Sequence, residues 1–205
     1  MTDASTVFIV DDDREVRQAL ALLMESVGLR TELFESADRF LEQFDSDRPG
    51  CLILDVRMPG MSGLDLQARL AAEKLHPPVI VITGHGDVPM AVRAVQAGAV
   101  DFIEKPFNDQ ALLDSVHRAL ELDARQRGQA RELAEIRRRV ESLTKREQEV
   151  MRLVVNGLRN KMIANELHVS QSTVEAHRAK VMEKMGARTL SELMRMVLSL
   201  EMKEE

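Results

Sequence analysis

One cysteine, no tryptophan and no tyrosine occur among 205 residues, and no apolar run approaches the ~20 residues that a bilayer-crossing helix needs. A lone Cys51 excludes an internal disulfide, and no cluster of Cys and His offers a metal site. Set within the apolar run 51–54, Cys51 is expected to be a small core side chain rather than a reactive thiol. The start, MTDASTVF, has neither the basic nor the apolar part of a signal peptide, so a cytoplasmic location without membrane contact is expected. What is present is a globular balance, 44% hydrophobic and 30% charged, at a length that suits one domain of ordinary size and a smaller one.

The formal charge of −6 conceals two halves of opposite sign. Residues 1–124 hold 11 Lys and Arg against 22 Asp and Glu, whereas residues 125–205 hold 17 against 12. Only the second half suits a polyanion such as nucleic acid.

In the first half, apolar runs at 7–10, 31–34, 51–54, 79–82 and 101–104 alternate with amphipathic stretches at 14–27, 36–44, 63–74 and 88–97, and a further helix starts near Asp109, capped by Asn108 or Asp109. Gly28 and Gly98 close helices. This alternation predicts a doubly wound α/β domain, a five-stranded parallel sheet with helices on both faces. Run 51–54 is apolar throughout, as a strand buried on both faces requires, and ends at Asp55 before a Pro-Gly turn. Asp55 alone is compatible with a turn cap or with chemistry at the carboxyl end of the sheet. The other strands end at Asp11, Asp12 and Asp13, at Thr83, and at Lys105-Pro106. If these ends meet, one crevice receives several carboxylates, a hydroxyl and an ammonium. Crowded carboxylates call for a hard divalent cation, and Mg²⁺ suits carboxylates plus water and phosphate. A carboxylate can itself be the nucleophile toward phosphorus, with Mg²⁺ and Lys105 neutralising the transferring group. On the central strand, Asp55 is the best candidate.

The motifs IVDDD at 9–13, LDVRMPGMSG at 54–63, VITGHGD at 81–87 and FIEKPF at 102–107 resemble the receiver domain of two-component response regulators. The resemblance implies a flavodoxin-like fold, with Asp55 accepting a phosphoryl group from a sensor histidine kinase. It assigns Mg²⁺ to Asp11, Asp12, Asp55 and the main-chain carbonyl of Arg57, with Asp12 a direct ligand, Asp11 acting through water and Asp13 outside the site. Thr83 and Lys105 would contact the phosphoryl oxygens, and Thr83 with Phe102 would form the switch pair. Many receivers carry Tyr where this chain has Phe102, which favours an inward ring even without phosphate. The Lys105-Pro106 bond is expected to be cis.

Residues 121–143 are highly charged and lack proline, with Leu133, Ile136, Val140 and Leu143 at helical steps too few for a coiled coil. They read as a helical linker, interrupted or bent near Gly128, whose stiffness would set the distance between two domains. Beyond it, amphipathic stretches at 145–156, 161–167, 172–185 and 190–200 predict a small all-α four-helix domain with a helix-turn-helix. Residues 143–185 resemble the LuxR-type domain of the NarL/FixJ response regulators, and 83–107 is similar to the FixJ/StyR branch. The domains expected are therefore a receiver at 1–122, a linker at 123–142 and a LuxR-type domain at 143–205.

The resemblance makes 173–185 the recognition helix, capped by Ser172 or Ser170. It places Glu175, Ala176, Arg178 and Ala179 near base edges, and Lys161, Thr173, His177, Arg178 and Lys180 near phosphates. Glu175 can accept from cytosine or pair with a basic neighbour. His76, His85, His117 and His168 read as surface or turn residues, although His85 and Arg57 flank the phosphoryl site. The function implied is transcription control: phosphorylation promotes receiver pairing, and the homodimer binds double-stranded promoter DNA and addresses RNA polymerase. Such a chain accepts and slowly loses a phosphoryl group without being an enzyme. A haloacid-dehalogenase-type phosphatase would want an acid where Arg57 stands, and a phosphate-independent dimeric regulator would not need Asp55, Thr83 and Lys105 together.

Overall fold

In the computed structural model, residues 5–73, 75, 77–84 and 88–201 are described. His76 and His85 lie outside them. The chain divides into two compact units between Arg127 and Gly128.

The first unit alternates β1 (Thr6–Val10), α1 (Arg14–Ser26), β2 (Arg30–Phe34), α2 (Ala37–Gln43), β3 (Gly50–Asp55), α3 (Gly63–Ala72), β4 (Val79–Thr83), α4 (Val88–Gln96) and β5 (Asp101–Glu104), and ends within α5 (Asp109–Glu141), whose remaining turns belong to the second unit. The strands form one parallel sheet in the order β2-β1-β3-β4-β5. The apolar runs β1, β3 and β4 are buried throughout, as expected of strands covered on both faces, whereas β2 and β5 lie at the edges and are partly exposed. Alternate residues feed two cores. Phe8, Val10, Leu52, Leu54 and Val81 pack with Phe34, Phe40, Leu66 and Ala94 on one face, and Val7, Ile9, Cys51, Ile53, Ile80 and Ile82 pack with Leu20, Met24, Leu112 and Val116 on the other. The few aromatic residues are concentrated: Phe8, Phe34, Phe40 and Phe44 meet edge to face or stacked at centroid distances of 4.7–6.5 Å. Burial, reinforced by the charge of Asp123, pushes the Cys51 thiol up to about 12, so it is an inert core group. Among the described residues no helix is long and apolar enough to cross a membrane.

Of the interruption or bend expected near Gly128, an interruption does not occur: α5 runs as one helix from Asp109 to Glu141. Gly128 stands between strong helix formers, and a single glycine costs a helix only about 1 kcal/mol. Nor does 123–142 behave as a solvated linker throughout. Asp123 is 4% exposed and accepts from Gly50 N at 3.0 Å and from Arg127 Nε at 2.9 Å. Arg127 also donates to the carbonyls of Ser46, Asp47 and Arg48, at 2.9, 3.0 and 2.6 Å. One guanidinium thus ties α5 to the loop before β3. Gly50 is obligatory there, since a Cβ would lie 2.0 Å from the carbonyl oxygen of Thr6.

The second unit packs the last turns of α5 with α6 (Lys145–Val155), α7 (Asn160–Glu166), α8 (Gln171–Met185) and α9 (Leu190–Glu201). Its core joins Ile136 and Leu143 to Val150, Val154, Ile163, Val174, Val181, Met185 and Leu193. The domain therefore begins earlier than position 143, because Ile136 is buried and Arg139 donates to the carbonyl of Met185 at 2.9 Å. Thr144 and Glu147 form a reciprocal capping box at the start of α6. Glu147 also accepts from Lys184 Nζ at 2.6 Å. That bond first, and the main-chain N–H of Thr144 second, hold the Glu147 carboxyl down at about 2.

Arg127→Ala leaves Asp123 buried without its cation and strips three carbonyls of their donor; its urea midpoint is expected to fall by the equivalent of about 1–3 kcal/mol. An unchanged midpoint would mean that the clasp adds nothing to folding. Glu147 has a lower pKa folded than unfolded, so its contribution is complete above pH 4.5 and is lost as the pH falls toward about 2. Amide-exchange protection of α6, corrected for intrinsic rates, should drop between pH 5 and pH 3. Glu147→Gln should start lower and drop less.

Candidate functional site

The strand order reverses direction between β1 and β3, and in such sheets a crevice opens there beyond the carboxyl ends. Asp11 follows β1, and Asp55 is the last residue of β3. Lys105 follows β5 after the chain has crossed β4, where Thr83 pairs in register with Glu104. These placements bring the lysine back to the centre. Lys105 Nζ lies 2.7 Å from Asp11 Oδ2 and 2.8 Å from Asp55 Oδ1. Both carboxylates are nearly sealed from solvent, at 1% and 5% exposure.

Two buried carboxylates share one ammonium, so the pocket carries an excess of negative charge. Burial raises the pKa of Asp55, and the pull of Lys105, divided with Asp11, does not reverse it. Burial works against the Lys105 ammonium, but its hydrogen bonds to Asp11 and Asp55 outweigh that, and its pKa is raised. The Lys105 shift has the sign that two carboxylates around one ammonium produce, and that of Asp55 comes first from burial. A donor set of oxygens around that surplus fits a hard cation such as Mg²⁺.

The surroundings hold the acids in place. Asp55 Oδ2 accepts from Arg57 N at 2.7 Å, and Asp11 Oδ1 accepts from Asp13 N at 2.9 Å. Asp13, outside the pair as expected, caps α1 by accepting from Glu15 N and Val16 N. Arg17 Nη1 donates to the carbonyl of Asp11 at 2.6 Å. Gly63 permits α3 to start against β3, since a Cβ there would lie 2.1 Å from the carbonyl oxygen of Asp55. Two contacts escaped sequence reasoning: nothing marks a helical arginine such as Arg17 as reaching back to the end of β1, and Gly63 reads as the start of a helix without showing that the helix abuts β3.

Of the residues expected to converge, Asp11, Asp55 and Lys105 do. Thr83 is fully buried at the end of β4, and its carbonyl accepts from Lys105 N at 2.7 Å. The Lys105-Pro106 bond is cis. Phe102 is half-buried against the core that includes Val81 and Ala94. Asp12 is exposed, and among the described residues no three His, Cys, Asp or Glu side chains form a metal-binding group.

In the second unit, Ser170 rather than Ser172 caps α8, accepting from Thr173 N at 3.1 Å. The helix starts at Gln171, earlier than expected. His168 forms the turn before it with a φ of 54°, a conformation that His tolerates better than most residues. Val174, Val181 and Met185 face the core, while Glu175, Ala176, Ala179 and Lys180 are exposed, as is Lys161 on α7. Thr173, His177 and Arg178 are half-buried. The Thr173 hydroxyl lies 2.7 Å from that of Ser170. Arg178 Nη1 donates to Asn160 Oδ1 at 2.7 Å, and Asn160 Nδ2 donates to Glu175 Oε1 at 3.4 Å. Glu175 therefore pairs with an amide rather than with a basic neighbour.

Comparison with known proteins agrees with both halves. The family described as "Response regulator receiver domain" matches residues 7–117, and "Bacterial regulatory proteins, luxR family" matches 141–197. Nodulation protein W of Bradyrhizobium diazoefficiens is 50% identical over 95% of this chain and 87% of its own length. Transcriptional regulatory protein FixJ of Rhizobium meliloti is 47% identical over 97% of each chain. The solved structure of the response regulator StyR superimposes with a TM-score of 0.88 at 45% identity, covering 95% of this chain and 98% of that one. The crevice of acids and lysine and the exposed face of a helix-turn-helix thus sit where two matched families place a receiver and a DNA-binding module, and the chain belongs to the two-component response regulators with a LuxR-type DNA-binding domain.

Proposed function

We propose that phosphorylation of Asp55 by a sensor histidine kinase switches this protein into a homodimer that binds promoter DNA. The observation that carries the proposal is the ammonium of Lys105 set between Asp11 and Asp55 in a buried crevice. Asp55 has one oxygen engaged by Arg57 N and the other toward Lys105, which orients the carboxylate at the mouth of the sheet. Attack by an Asp55 oxygen on a phosphohistidine forms a P–O bond as the P–N bond to the kinase breaks. Asp11, Asp12 and Asp55, with the main-chain carbonyl of Arg57, would hold Mg²⁺, whose charge when bound offsets that of the phosphoryl oxygens. Lys105 supplies a second positive charge, and the Thr83 hydroxyl a hydrogen bond. Hydrolysis slowly returns Asp55 to the free acid, so no diffusible substrate is turned over.

Engagement of Thr83 would change packing beside the half-buried ring of Phe102, and two competing packings on the β4-β5 side would make the switch. Pairing of receivers then presents two copies of α8 to a two-fold DNA site, and linkage raises their joint affinity. Placing α8 in the major groove is supported by its exposed face of Glu175, Ala176, Ala179 and Lys180 and by the positive charge of the second half. Lys161, Thr173, His177, Arg178 and Lys180 would meet phosphates, and Glu175, Ala176, Arg178 and Ala179 base edges. RNA polymerase would be the downstream partner of the bound dimer.

Incubation of the full chain with Mg²⁺ and a radiolabelled small phosphodonor, with Asp55→Asn as control, tests the switch. Labelling should require Asp55 and should tighten binding to a two-fold DNA site by about tenfold or more. Equal labelling of Asp55→Asn, or labelling with no change in DNA affinity, would contradict it.

A further inference from the structure

We propose that Asn160 is a positioning residue for base readout, its side-chain amide coupling Arg178 to Glu175 so that α8 presents a joint donor and acceptor face to a C·G step. The inference rests on the placement of α8 in the major groove proposed above. Asn160 is the first residue of α7 and is half-buried against its neighbour in the helix-turn-helix. Its Oδ1 accepts from Arg178 Nη1 at 2.7 Å, and its Nδ2 donates to Glu175 Oε1 at 3.4 Å. The orientation of the amide is dictated by chemistry, because a guanidinium can only donate and a carboxylate can only accept. The opposite flip would set donor against donor and acceptor against acceptor.

The chain forgoes something to place the amide there. Asparagine is among the best residues for an N-cap, yet Asn160 stands one position beyond it, and Arg159, which occupies the cap of α7, makes no side-chain capping bond. By contrast α8 is capped by the hydroxyl of Ser170. The Asn160 amide is spent across the turn rather than on its own helix.

Glu175 and Arg178 are three residues apart on α8, so they share a face and could pair directly. A direct pair would satisfy each with the other. With the amide between them, Glu175 keeps a second carboxylate oxygen and Arg178 keeps further N–H groups. The chemistry left over is an acceptor beside a donor. In the major groove that complements the N4 amine of cytosine beside the O6 and N7 acceptors of guanine, at one base pair or two adjacent ones.

The test uses the full chain, with and without phosphodonor, selecting bound DNA from a random pool and comparing base preferences position by position. Glu175→Ala and Arg178→Ala should each flatten the preference at particular positions. Asn160→Ala should flatten those same positions, reducing discrimination there by about tenfold. Asn160→Asp keeps an acceptor for Arg178 but repels Glu175, so it should flatten only the Glu175 position. Weaker binding of Asn160→Ala to all sequences with every preference intact would mark a purely structural residue and overturn the inference. So would preferences moved by Glu175→Ala and Arg178→Ala but untouched in both Asn160 variants. If Glu175→Ala and Arg178→Ala themselves leave every preference intact, the placement of α8 fails, and the role of Asn160 falls with it.

Discussion

The first unit depends on one electrostatic imbalance, two buried carboxylates with a single ammonium between them. Asp11 and Asp55 are brought together because β1 and β3 are neighbours, and Lys105, which follows the edge strand β5, reaches both past the end of β4. Left uncompensated, a second buried negative charge costs several kcal/mol. Part of that cost is offset by Lys105, by Arg57 N and by Asp13 N. The remainder gives the site its appetite for positive charge, and it is why we assign the crevice to a phosphoryl group accompanied by Mg²⁺ rather than to a structural ion pair. Fully buried strands and a Gly63 that allows α3 to abut β3 hold the carboxylates in position.

The two ends of the first unit are built differently. At the carboxyl end charges are left in excess. At the other end they are satisfied: Asp123 receives Gly50 N and Arg127, and Arg127 reaches three carbonyls of one loop. A satisfied buried pair rigidifies, whereas an unbalanced one invites a ligand. In the second unit the same distinction separates Glu147, held by a capping box and by Lys184, from Glu175, which accepts from the amide of Asn160.

Much of this was legible in the sequence because it depends on local periodicity. Apolar runs such as VFIV and CLIL announce strands buried on both faces, and the acids and lysine that terminate the runs are visible as interruptions. Burial of charge was not legible. Asp123 and Arg127 lie in a stretch dense in Lys, Arg, Asp and Glu, where the ordinary expectation is a solvated helix, and only the tertiary position of the loop before β3 reveals them as partners. Gly128 suggested an interruption that the surrounding helix formers override. The bridging role of Asn160 requires knowing how α7 and α8 face each other.

The central claim is that Asp55 carries the phosphoryl group. The most direct measurement is reductive trapping of the phosphorylated chain with borohydride, which converts an aspartyl phosphate to homoserine, followed by mass-spectrometric mapping. Homoserine at position 55, and at no other aspartate, is the predicted result. Homoserine at Asp11, Asp12 or Asp13 instead, or phosphate retained on a residue that borohydride does not reduce, would contradict it.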